Sequence, residues 1–452
     1  MPTNTRLGGV FHTDTDGNIS RNLMVSSENV CGLIFDCRVA GGINAALGNE
    51  TARGIFASGN VVELNTSKDI AKCGIDETVM FGLVKYHLTH FFTLAGENQR
   101  LFLSFMDSSV DTEYKAVELM QLAANGIIYQ IGVWSAEFFA SPTASGAYNI
   151  VDGGVLTKLQ HQAEVLGGKI GVTNYEGNSP VNILVNAPTI NAAVVDFSRL
   201  PDLSTLNLPK VSLLLGQASN DDVHAIQEKL GGLYPVGNIG AAMACLAVAT
   251  AEMNIGHVEM FNLSSVMTTA ELGFGNTTLD EETHKFVPAA SFNNIKTLGY
   301  VDRNERLHRK GYIFLTNYDG IENGIFFSDD QTLSTGDYRS IARGRVMHKS
   351  RRVVRRALLP RVKSTVEVDA STGQLSDSTI TEFENLIYAA LDANMVRPGT
   401  WKPQISGREV VINSEQNILE NDQLLIEYSL VPVGCVSSIF VTEGFASSIS
   451  AS

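Results

Sequence analysis

The chain has 452 residues, 44% of them apolar and 18% charged, which suits two or three packed domains and excludes a disordered or collagen-like polymer. A formal net charge of −15 argues against a general nucleic-acid binder, which presents a basic surface. The 5 cysteines (Cys31, Cys37, Cys73, Cys245, Cys435) are scattered and form no CxxC pair, so neither a zinc knuckle nor a disulfide framework is indicated.

Residues 1–29 are polar, without helical period, and bury no face of their own; they read as an N-terminal arm. They carry no basic stretch followed by an apolar core, so no signal peptide is expected. The most membrane-like stretch, Ile239–Thr250, is about a dozen small residues where a spanning helix needs roughly 20. It is expected to be a close-packed internal helix. With neither export signal nor anchor, the chain is expected to be made and assembled in the cytoplasm.

From Val30 to about Asn254, apolar runs alternate with helical stretches. Strands are predicted at Cys31–Arg38, Val61–Asn65, Leu101–Met106, Ile127–Trp134, Val181–Ala187 and Val211–Gly216. Helices are predicted at Asp76–Ala95, Glu113–Asn125, Gly154–Leu166 and Asp221–Lys229. This alternation predicts a doubly wound α/β domain over 30–269. A linker is expected at 270–286, where Gly275-Asn276-Thr277-Thr278 precedes Asp280-Glu281-Glu282.

An α+β domain is then expected over 287–442. Strands Gly311–Thr316 and Gly324–Phe327 flank Asp319-Gly320, a hairpin turn signal. Asp337–Leu359 reads as one helix stopped by Pro360, Val362–Val368 as a strand, and Ser376–Met395 as a helix capped by Ser376 or Asp377. Glu409–Asn413, Gln423–Val431 and Ser438–Thr442 read as closing strands, and 443–452 as a C-terminal arm.

Catalytic signatures are weak. No glycine cluster fits GxGxxG after a strand or GxxxxGK[ST]. His87 and His90 are three apart on a helix, yet no HExxH carboxylate joins them. The GxSxG elbow is absent, and Asp329-Asp330 reads as a solvated polar turn. Neither cofactor nor metal nor catalytic residue is expected.

The anomaly is the stretch Arg339–Lys363, with ten cations in 25 residues and no acid. Ile341, Val346, Val353 and Leu358 recur at helical spacing and predict one packed stripe. Like charges on the other arc repel, so they call for a counter-charge: an acidic protein surface, the chain's own carboxylates, or nucleic acid.

The C-terminal third resembles the tail sheath proteins of contractile phages and related contractile injection systems. The carrying blocks are Lys310–Leu315, Asp337-Tyr338, Arg343–Val346, Leu358-Leu359-Pro360, Asp369–Gly373 and Leu430–Gly434, followed by Ser438–Thr442. Val61–Asn65, Ser67-Lys68-Asp69 and the helix around Tyr86-His87 resemble the outer part of such sheaths. The resemblance implies a non-enzymatic subunit of a virion tail or contractile particle. It would polymerise as stacked hexameric rings around an inner tube, with its C-terminal domain tube-facing and its two arms adding strands to neighbouring copies. Partners would be further copies, a tube protein with an acidic surface, and baseplate and tail terminator proteins. Tube contact would fall to Arg343, Lys349, Arg352 and Arg356. The competing reading is a cytoplasmic oligomeric enzyme with a doubly wound domain, which would need a polar pocket at the strand C-terminal ends.

Overall fold

The computed structural model describes residues 29–441, except 76–78, 138, 143–147, 169–178, 187–199, 216–220, 231–235, 268–276, 280–285, 289–306, 317, 319, 322–323, 397–401, 422 and 438. Both expected arms, apart from Asn29, lie outside the described residues, as does the Asp319 half of the expected turn.

Seven strands form the central sheet: β1 (Cys31–Asp36), β2 (Val62–Leu64), β3 (Leu101–Met106), β4 (Gln130–Trp134), β5 (Asn182–Asn186), β6 (Val211–Leu214) and β7 (Tyr312–Ile313). Their order is β7-β6-β5-β4-β1-β3-β2. Every pairing is parallel except the edge pair β2–β3. β1, β3, β4, β5 and β6 are buried at every position, which is why they appear in the sequence as unbroken apolar runs rather than alternating ones.

Helices cover both faces. α1 (Val79–Ala95) and α5 (Ile239–Val248) pack together on one side; α2 (Ala116–Ala123) and α3 (Val155–Gly167) lie on the other, with α4 (Asp221–Lys229) against α1. Gly32 abuts Met120 of α2, whereas Gly132 abuts Met243 of α5. The small-residue helix is internal as expected, with Ile239 through Ala247 all buried. Gly240 permits its close approach: a Cβ there would lie 2.1 Å from the His87 carbonyl oxygen.

The expected border at 287 does not divide the core. Tyr312, Ile313, Leu315, Ile325, Leu333 and Ile341 belong to the same apolar cluster as the sheet. β7 pairs Tyr312 and Ile313 with Leu213 and Leu214. A short apolar run shows that it will be buried and says nothing of which sheet receives it. In and just beyond the expected linker at 270–286, Thr277–Leu279 and Phe286–Pro288 pair as antiparallel strands.

The remainder is a smaller α+β body. α6 (Ile341–Leu358) starts four residues later than predicted, because Ser340 accepts the Arg343 N–H as its cap and Ser340 bridges to Gln331. α7 (Asp377–Leu391) is capped by Ser376 and ends in a wide turn over Asp392–Val396. β8 (Ile405–Val411) and β9 (Glu427–Pro432) form an antiparallel pair. Val346, Val353 and Val354 of α6 pack with Ile387, Leu391 and Val410. Val362–Val368 is not a strand. Lys363 is left-handed at φ 65°, which breaks an extended run, and a single bridge joins Val368 to Leu375. Residues 439–441 form no strand within this chain.

Candidate functional site: the cationic helix and its surroundings

A helix C-terminus leaves carbonyls without intrahelical donors and concentrates partial negative charge. Two such helix ends, and the carbonyls of the segments that lead into β4 and β5, face α6 and take up hydrogen bonds from its cations. Arg345, fully buried, donates to the carbonyls of Leu246 (3.1 Å), Ala249 (2.8 Å) and Thr250 (3.3 Å) at the end of α5. Arg351 donates to the Gly167 carbonyl at the end of α3. Beside it, Lys210 Nζ donates to Ala163 (3.1 Å) and Gly168 carbonyls. Arg352 donates to Gly126 (2.7 Å), Ile128 (2.8 Å) and Pro180 (2.9 Å), in the segments that lead into β4 and β5. Its guanidinium also lies 3.9 Å from the Tyr129 ring centroid, a favourable cation–π geometry. Lys349 Nζ donates to Gln404 Oε1 at 2.6 Å, just before β8.

Two of the four expected contact residues have partners within the chain. Lys349 ties α6 to the start of β8 within the smaller body, and Arg352 ties α6 to the sheet body. Arg343 is half-buried and donates to the Asp337 carbonyl. Arg356 is exposed, as are Arg355, Arg361 and Lys363, with Arg361 paired to Glu382 at 2.5 Å. The cationic row therefore has an inner half, spent on backbone carbonyls, and an outer end facing solvent. The inner half repeats the spacing of Val346 and Val353, so the burial of that stripe was readable. What escaped sequence reasoning is that carbonyls, invisible in residue letters, are the counter-charge. Burial, then the neighbouring Lys210, Arg351 and Arg352, press the His348 pKa well below its ordinary value, so it is neutral among the cations.

At the other end of α6 lies a carboxyl pair. Asp330 is buried rather than solvated. Its Oδ2 accepts the Ala342 N–H (2.8 Å), and Asn254 Nδ2 donates to both Asp330 Oδ1 (2.9 Å) and Asp329 Oδ1 (2.5 Å). Burial, then the adjoining Asp329, raises the Asp330 pKa to about 8.

The remaining candidates are structural. His87 Nε2 lies 3.1 Å from the Val236 carbonyl oxygen and its Nδ1 accepts the Gly240 N–H; burial lowers its pKa to about 3. Among the described residues, no group of three or more His, Cys, Asp or Glu side chains is placed to hold a metal. In doubly wound folds ligands bind outside the strand C-termini, at the point where strand order reverses. Here that point is β1 between β4 and β3, and the chain fills it. Buried Asp36 accepts the N–H groups of Arg38, Ser108 and Ala136, and Tyr114 bonds Ser135 at 2.6 Å. Three loops are tied over the crevice by one carboxylate. No described helix is long and apolar enough to cross a membrane.

The second notable surface is the β8–β9 pair, whose sheet has only two strands. A two-stranded pair is marginal on its own, and among the described residues neither outer edge carries a further strand, although the Val410 N–H on the β8 side donates to the Tyr388 hydroxyl. Beyond β9 the chain carries exposed Val436, Ile439, Phe440 and Val441, the Phe440 side chain at 95%.

Residues 337–450 match the family model described as DUF2586, C-terminal domain. No curated protein matches the chain in sequence. Solved structures do match its fold. A chain of the six-fold symmetrised baseplate of the anti-feeding prophage aligns with a TM-score of 0.52 and 11% identity, covering 98% of this chain and 99% of that one. A chain of the contracted helical sheath of the same particle gives 0.52 and 11%, covering 98% and 100%. A chain of its contracted baseplate gives 0.51 and 13%, again covering 98% and 100%. The chain thus has, from end to end, the fold found in these contractile assemblies.

Proposed function

We propose that this chain is a structural subunit of a contractile sheath, stacking as hexameric rings around an inner tube and driving that tube through a target envelope when it shortens. The observation that carries the reading is the near-complete coverage in both directions: the parallel-sheet body, α6 and the two-stranded hairpin all belong to the shared fold, with no domain left over for another task. The crevice plugged by Asp36 fits a body that serves as a packing unit rather than a catalyst.

In this reading the hairpin is the joint. Its free edges accept extended segments from neighbouring copies, and the apolar extension after β9 supplies one such segment in return. Strand addition provides affinity through main-chain hydrogen bonds and tolerates sequence variation. The arms keep copies tied while the bodies shift as near-rigid units between two sets of interfaces. Extra burial on contraction, at about 25 cal/mol per Å² and multiplied over the polymer, is the driving force.

The tube contact falls to the outer end of the cationic row, Arg356 with Arg355, Arg361 and Lys363, and to Arg343 at the helix start. Exposed ion pairs are worth about 0–1 kcal/mol each, weak enough to release when the sheath moves outward. Baseplate and terminator proteins would cap the polymer, and assembly in the bacterial cytoplasm would precede release of the particle. Negative-stain microscopy of the purified chain is the direct test: hollow, ribbed cylinders are expected, and discrete compact particles at assembly concentrations would overturn the reading.

A further inference from the structure

The β8–β9 pair has one face turned in and one turned out. Val410, Ile426, Tyr428 and Leu430 pack in the apolar cluster shared with α6 and α7, and the Tyr428 hydroxyl lies 3.3 Å from Ser350 Oγ on α6. Alternation along 409–411 and 425–431 therefore sends Glu409, Val411, Leu425, Glu427 and Val431 to the opposite face, and all five are exposed. The register sets Glu427 opposite Val411 and Glu409 opposite Ser429. The two carboxylates are thus diagonal neighbours, about 7–8 Å apart, where like charges repel. The complement lies at the end of α6. Arg355, Arg356 and Lys363 are exposed, and so are Leu359 and Val362 among them. Among the described residues, neither these three cations nor the two glutamates take part in an ion pair. The two surfaces do not meet within one chain. Leu358 and Ile426 pack on the same apolar clusters, so α6 ends on the inner side of the pair and the strands stand between its tip and the two glutamates.

We propose that the outer face of the β8–β9 pair docks the cationic tip of α6 from a second copy of this chain. Opposite charge draws the two surfaces together and sets their register, and the apolar side chains on both leave water only when they meet. The two patches differ, so the contact is heterologous. Each copy offers its tip to one neighbour and its sheet face to another, which propagates a ring or a helical filament instead of stopping at a dimer. The tube contact proposed above engages the same tip, so the two contacts alternate: tips that let go of the tube as the sheath moves outward pass to a neighbouring copy. That exchange rests on the sheath reading; the contact between copies does not, because it needs no tube.

The test follows self-association of the full-length chain, without tube, by sedimentation velocity. Raising sodium chloride from about 0.1 M to about 1 M shortens the screening length from about 10 Å to about 3 Å and should weaken association about tenfold or more. Glu409→Arg with Glu427→Arg, and separately Arg355→Glu with Arg356→Glu, should each weaken it at least as much, since tip and face then carry the same sign. An equimolar mixture of the two double variants should associate as the wild-type chain does, because each complements the other at both patches. A mixture no better than its components, or reversed chains that associate like wild type, overturns the contact. A wild-type chain that stays monomeric, or whose association ignores salt, overturns it too, and this measurement decides even if a variant fails to fold. Negative-stain images of the same samples tell the two proposals apart. Unchanged cylinders from the reversed chains sink the contact and leave the sheath standing; salt-sensitive, mixture-rescued association into particles other than cylinders upholds the contact and sinks the sheath.

Discussion

Arg352 and Arg356 lie one turn apart on the same helix, yet their surroundings differ in everything that matters to a cation. Arg352 satisfies three carbonyls and covers an aromatic ring; Arg356 faces solvent. Charge withdrawn from water is tolerated only where hydrogen bonds replace it, and the segments that lead into β4 and β5 supply those bonds to Arg352. Exposed charge is nearly free for stability and available to a partner. The inner part of the run fastens the chain internally, and its exposed end is left for the tube contact proposed above.

Substitution separates the two jobs. Removing the innermost cation should cost most: Arg345→Ala leaves three buried carbonyls without donors and should lower unfolding stability by about 3–5 kcal/mol, seen as a lower urea midpoint. Arg352→Ala should cost about 2–3 kcal/mol, and Arg352→Lys should restore only part of it because the planar fork is lost. Acid should probe the buried imidazoles. His87 has its pKa depressed to about 3 from an ordinary 6.5, so the stability it contributes is full above 6.5 and lost as pH falls through about 3. Tm should therefore fall between those limits, and less steeply in His87→Gln. The triple reversal Arg355→Glu, Arg356→Glu, Arg361→Glu should shift stability by only about 0.5 kcal/mol per site while preventing cylinders on tubes. Equal costs for Arg345 and Arg356 would erase the distinction between the halves.

Much of this was written in the residue letters. Leu101–Met106 and Asp221–Lys229 lie where the apolar runs and charge placement put them, and Ser376 caps α7 as its hydroxyl predicts. The failures share a cause. β7, the internal bonds of Arg352 and the burial of Asp330 each depend on what a distant segment brings to the spot, and no local period records that. Lys363 illustrates a second limit: a valine-rich stretch with strand propensity was broken by one left-handed residue and the lack of a neighbouring ladder, which outweigh propensity.

The place of β7 has a consequence for synthesis. β6 and β7 are separated by about 100 residues of chain, which a ribosome takes about 5–20 s to add. Until Ile313 arrives to accept the Leu215 N–H, the rim of the nascent sheet has no mate, and an uncovered parallel rim invites pairing with a sister chain on the same message. On the reading proposed above, strands exchanged between copies must not pair too early, and the lateness of Tyr312 and Ile313 makes that interval the point at which a chaperone would matter most.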